Sequence, residues 1–206
     1  MNVESLIPFT RPYVSGCADI VVIGALTRAA RKFFERSLTW RQDRYIGYGK
    51  GLVKAKIAPE DPAAQSLVSV IRAQVKGQNK PLGPAPNGFN DAETSEGQPK
   101  FYSSDAVGYL QLQPMPTEST VVLVKIAIKP AIGSQVIPDG LGEMYGEIIA
   151  EGAVAEILSI PDSKQYNPKQ SDFHRNNFNR GITTALNKVE MGYSNTGGRV
   201  YGGQFI

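Results

Sequence analysis

An α+β fold is predicted by three features of the chain. Helix-period segments stand near both ends, period-two segments lie between them, and the regular helix–strand alternation of βαβ units is missing. The expected form is a bundle of three main helices with an antiparallel β-module inserted between the first and second, followed by an extended C-terminal tail. Residues 1–44 and 136–191 make the helical part. Residues 45–135 make the β-module, with a long loop over 77–99, and residues 192–206 make the tail.

Residues 1–16 read as irregular, broken by Pro8, Pro12 and Gly16, with Leu6, Ile7, Phe9 and Tyr13 packing down. Asp19 is placed to cap a helix running to about Trp40. Its apolar face is Ile23, Leu26, Ala30 and Phe33, flanked by Phe34 and Trp40. From Tyr45 the period becomes two. Val53, Ala55 and Ile57 alternate with Lys54 and Lys56, and Leu67, Ser69, Ile71, Ala73 and Val75 alternate with Arg72, Gln74 and Lys76. Segments 109–113 and 121–128 follow the same rule. Turns are expected at 59–62, 77–80 and 114–116. Residues 77–99 hold four Gly and four Pro and read as one long loop.

The rest is organised round a helical hairpin from Asp139 to Met191. Pro138-Asp139 starts the first helix, whose apolar positions are Leu141, Tyr145, Ile148 and Ala155, with a small-residue notch at Gly152. Asn167-Pro168 opens the second, with Gln170 placed to close a capping box. Phe178, Ile182, Ala185 and Val189 continue one face, and Gly192 is placed to cap the end.

Composition excludes several classes. No apolar run is long enough to span a bilayer, and no basic region precedes an apolar block at the start, so no signal peptide and no membrane partner are expected. A single cysteine, Cys17, forbids an intrachain disulfide, and a cytosolic site of synthesis is the default. The net charge of +3 is too mild to argue for nucleic-acid binding alone. With one cysteine and one histidine, His174, no Cys/His zinc site is possible. Phosphate-loop, dinucleotide and nucleophile-elbow motifs are missing, and Gly47–Gly51 reads as a turn. The expectation is no enzyme, no cofactor, no metal, and a structural role for His174.

One charge pattern stands out. Between Asp139 and Asp162 lie six acidic residues and no basic one, and Glu143, Glu147 and Glu151 recur every four residues. Like charges at that spacing cost a helix roughly 0.2–0.5 kcal/mol per pair. The first helix shows the converse: Arg28, Lys32 and Arg36 form a basic stripe. The stripes are solvated faces, or they meet within or between subunits, or the acidic one lines a channel through which DNA passes. A stripe-to-stripe contact joining the two helices is the specific expectation.

Several segments, taken in order, resemble the head-to-tail connector proteins of tailed bacteriophages, also called adaptor, head-completion or neck proteins. Leu6-Ile7-Pro8 with Val14–Asp19 is similar to the family's opening. Ala25–Ser37 with Trp40-Arg41 resembles its first helix, and Gly97–Tyr102 with Leu112–Pro116 its β-region. Ile128-Lys129-Pro130 and Ile137-Pro138-Asp139 lead into Tyr145–Ala153, similar to a YGEAIAAGAL-like core. Phe178–Ile182 and Arg199–Ile206 resemble the closing helix and ending. Ala18 and Ile20 stand where the family often has proline, and the tail carries one arginine where relatives carry several.

The resemblance implies a structural virion protein: a ring, usually dodecameric, at the neck between portal and tail. It continues the channel for double-stranded DNA, without sequence specificity, and gives a tail or nozzle protein its platform. It makes Arg199, Val200, Tyr201, Gln204, Phe205 and Ile206 the portal-docking residues. Fifteen extended residues reach about 50 Å, and burying Tyr201, Phe205 and Ile206 contributes roughly 1.5–3 kcal/mol each before ordering costs. Repetition round a ring turns weak tails into avidity. Plain terminal disorder is the other reading of so glycine-rich an end. A competing function is a soluble carbohydrate- or nucleic-acid-binding module that uses the β-region, although aromatics do not cluster on one strand with basic partners.

Overall fold

Gly152, the small-residue notch of the hairpin, is filled by a neighbouring helix in the computed structural model. The structure describes residues 1–52, 54–85, 95–105 and 108–192. The fold is mixed α+β. In chain order it contains a 3-10 turn (Val3–Leu6), α1 (Ile7–Thr10) and α2 (Asp19–Ser37), then β1 (Arg41–Tyr48), β2 (Lys54–Lys56) and β3 (Gln65–Val75). Next come β4 (Gly83–Pro84), β5 (Glu96–Gly97), β6 (Phe101–Ser104), β7 (Tyr109–Gln113), β8 (Met115–Pro116) and β9 (Thr120–Pro130). Two helices close it, α3 (Asp139–Leu158) and α4 (Pro168–Glu190).

The first residues are helical rather than irregular. The Asn2 side chain caps the 3-10 turn, and Pro8 sits in the first turn of α1, where its missing N–H costs nothing. Asp19 does not cap α2; it is the first helical residue, after an extended Ala18, and pairs with Arg11. The helix ends at Ser37, short of Trp40, because Leu38 turns left-handed at φ 52°. Trp40 is buried beyond that turn against Phe34, and β1 begins at Arg41, ahead of the expected change of period at Tyr45.

Among the described residues three sheets form, ordered β1-β9-β3, β2-β7-β6-β4 and β5-β8. The longer pairings are antiparallel, but β4 with β6 and β5 with β8 are short parallel pairs. The segment 77–99 is therefore not all loop, since β4 and β5 lie within it, and 115–116 is a strand instead of a turn; residues 86–94 and Val53 lie outside the described residues. Strand β9 is the spine: Val122, Val124, Ile126 and Ile128 are fully buried on one face. Strict alternation fails on β3. Register shifts between Leu67 and Ser69 and between Val70 and Arg72 each add a residue. Leu67, Val70, Ala73 and Val75 thereby oppose Ile128, Ile126, Val124 and Val122, and the predicted face through Ser69 and Ile71 is displaced. The Tyr48 hydroxyl donates to the Leu110 carbonyl at 2.7 Å, tying β1 to β7.

Helix α2 touches β9 and also α3 and α4, so one apolar core runs from Leu110 and Leu112 through Phe33 to Phe178. The buried set on α2 is wider than the predicted stripe, taking in Val22, Ala25, Ala29 and Phe34. Helix α3 is buried on several sides, because α1, α2 and α4 all pack on it.

Candidate functional site

The hairpin of α3 and α4 is fixed by reciprocal close approach. A Cβ at Gly152 would stand 2.8 Å from the Phe178 ring, and one at Gly181 would overlap Ile148. The predicted α4 face, Phe178, Ile182, Ala185 and Val189, is buried as expected. Asn167 accepts from the Gln170 N–H at 3.2 Å, but the reciprocal half of the capping box does not form: the Asn167 N–H donates to the Leu158 carbonyl instead. Gly192, at φ 68°, ends the helix in the left-handed region that suits glycine.

His174 is buried. Its Nδ1 lies 2.7 Å from a Glu151 oxygen; an ionised carboxylate only accepts, so Nδ1 donates. Asn177 Nδ2 donates to the same oxygen at 3.3 Å, and the rings of Tyr13 and Phe173 pack against the imidazole. Glu151 therefore belongs to the α3–α4 contact.

The other striped residues are also sorted by these contacts. Arg28 holds Glu156 of α3, with Nε donating at 2.6 Å. This joins the two helices, but Glu156 lies outside the Glu143–Glu147–Glu151 stripe, five residues beyond its end and round the helix from it. The stripe-to-stripe contact is therefore absent within the described chain. Arg36 donates to Asn179 of α4 at 2.8 Å. Lys32, Glu143 and Glu147 are exposed and form no ion pair among the described residues.

Two surfaces result, on different sides of α3. One is a cleft of about 430 Å³ between α2, α3 and α4, lined by three cations, Arg28, Lys32 and Arg175, against one carboxylate, Glu156, with Phe178 and the small residues Ala29, Gly152 and Ala155. The other is acidic. Glu143 and Glu147 lie near exposed Met144, and a groove of about 150 Å³ runs beside Glu147 and Glu151 against Phe9 and Tyr13. A third surface lies in the strands: an open groove of about 530 Å³ between β1 and β2, lined by Arg44, Lys54 and Lys56 with Tyr45, which is 72% exposed.

Sequence reasoning missed Arg175, Phe9, Tyr13 and Met144 as surface partners. The signal for Arg175 was its place three residues before Phe178, beside the buried face of α4. Tyr45 was missed because, Arg44 apart, the basic residues of its groove, Lys54 and Lys56, come from another strand. The tail residues Arg199, Val200, Tyr201, Gln204, Phe205 and Ile206 lie outside the described residues. Among the described residues no group of His, Cys, Asp and Glu is placed to hold a metal, and no helix is long and apolar enough to cross a membrane. No protein-family model matches the chain, and no curated protein matches it.

Proposed function

We propose that this chain is a structural subunit of a virion neck, forming a ring between portal and tail. In this reading α2, α3 and α4 build the ring wall, the strands between α2 and α3 form an inserted module, and the C-terminal segment docks on the portal. The observation that carries it is the placement of one of the resembling segments, Tyr145–Ala153. It lies at the centre of α3, buried against three neighbouring helices, with differently charged surfaces on either side. A subunit that must meet two neighbours needs two unlike surfaces.

The test is mass measurement of the purified protein with and without a purified portal protein. The expected result is a monomer or weak oligomer alone and a ring on the portal. Deleting Gly197–Ile206 abolishes the ring and leaves the circular dichroism spectrum unchanged. A truncated chain that still rings the portal sinks the tail assignment.

A second reading, a nucleic-acid-binding module, is favoured by the groove between β1 and β2. Residues 41–58 carry five basic side chains (Arg41, Arg44, Lys50, Lys54, Lys56) against Asp43 alone. One exposed tyrosine beside such cations suits base stacking along a phosphate backbone. Under this reading, Lys54→Glu with Lys56→Glu weakens binding of labelled oligo-dT about tenfold or more and flattens its salt dependence. Under the connector reading the unmodified protein shows no such binding at physiological salt.

A further inference from the structure

We infer that the two helical surfaces are the two halves of one head-to-tail contact between copies: the acidic face of α3 in one copy seats in the cationic cleft of the next. This rests on the ring reading and names the contact that would build it.

The charges inside the chain are already sorted. Arg28 is held by Glu156, Arg36 by Asn179, and Glu151 by His174 and Asn177. What remains is Lys32 and Arg175 on one side, and Glu143 and Glu147 on the other. Arg175 reaches Asp172 and the Ser171 hydroxyl on its own helix, each at 3.4 Å, and the exposed ion pair contributes little. Glu143 and Glu147 repel one another one turn apart on α3, and no cation among the described residues pairs with either.

The apolar parts match as well. Met144 is 53% exposed and Phe9 45% exposed beside the carboxylates. The cleft has Ala29 and Ala155 among its lining residues, beside the Phe178 ring that fills the notch at Gly152, and its volume of about 430 Å³ takes a large apolar side chain. Acid with protruding apolar groups thus faces cations round a hollow.

Direction decides the symmetry. At about 100° per residue, Glu143 and Glu147 point roughly 150° away from the cleft-lining positions of α3. Two copies therefore cannot satisfy both surfaces by facing each other across a two-fold axis. Each copy gives its acidic face to one neighbour and its cleft to another, a heterologous contact that propagates and closes into a ring when the rotation allows.

The experiment uses the full chain, half of it labelled with nitrogen-15, concentrated and treated with a zero-length carbodiimide that couples an amine to a carboxylate. The expected product joins Lys32 of one label to Glu143 or Glu147 of the other. Two variants follow, Lys32→Glu with Arg175→Glu, and Glu143→Lys with Glu147→Lys. All four positions are exposed, so circular dichroism should be unchanged. Each variant alone loses the oligomer about tenfold or more, as charge repulsion across a docked surface requires. An equimolar mixture restores it, because the reversed cleft then meets the reversed face and the two native surfaces meet each other. Retention of the oligomer by both variants, or a mixture that fails to recover, overturns this contact and leaves the ring reading standing. An unmodified chain that forms no oligomer, alone or with portal, overturns both.

Discussion

The Phe178 ring occupies the space where any side chain at position 152 would stand. The Cβ of an alanine there already falls 2.8 Å from two ring carbons, closer than carbon atoms approach. Phe178 is buried and also packs on Phe33, at 6.5 Å between centroids. Gly152→Val should therefore destabilise the fold by about 1–3 kcal/mol, the usual cost of overpacking a filled core, read as a lower urea midpoint with an unchanged slope. Glycine was legible here as a gap in a helical pattern. What fills it was not, since Phe178 is 26 residues further on and only the turn at 159–167 brings it back. His174 shows the same limit. Its helix face could be read from spacing, but its burial beside Glu151, with Tyr13 across the imidazole, depends on three segments meeting.

Elements were legible where a local rule governs them. Asn167-Pro168 and Gly192 mark the ends of α4 because caps are set by a few adjacent residues. Strand β3 was misread in detail because a period of two assumes no extra residue, and its two bulges are fixed by pairing with β9. The acidic stripe was visible from spacing, whereas the selection of Glu156 by Arg28 needed the crossing of α2 and α3. Tyr48 joins β1 to β7 in a way no single strand announces. Burial raises its phenol well above the ordinary value of 10.0. The unfolded chain releases this proton near pH 10 while the folded chain keeps it, so the contribution is intact below pH 10 and declines as pH rises above it. Tyr48→Phe removes that decline and, by leaving the Leu110 carbonyl without its donor, costs about 1 kcal/mol at neutral pH. Chemical denaturation of both proteins at pH 8 and pH 10.5 measures the two effects together.

At the scale of the whole molecule, charge is divided by position along the chain. Basic residues gather between Arg28 and Lys56, and acidic ones between Asp139 and Asp162. The fold brings the two regions together across α2 and α3, where Arg28 and Glu156 pair, while among the described residues Lys32, Glu143 and Glu147 stay exposed without an ion pair. A chain with so small a net charge can thus carry strongly unlike patches, which favours orientation of neighbours over general attraction. Helix α2 lies between those patches and the strands, with Ala30 and Phe33 in the same buried cluster as Val124 and Phe178. Strands and hairpin thus share one buried cluster through this helix, so a substitution that loosens Phe33 is expected to be felt on both sides of it.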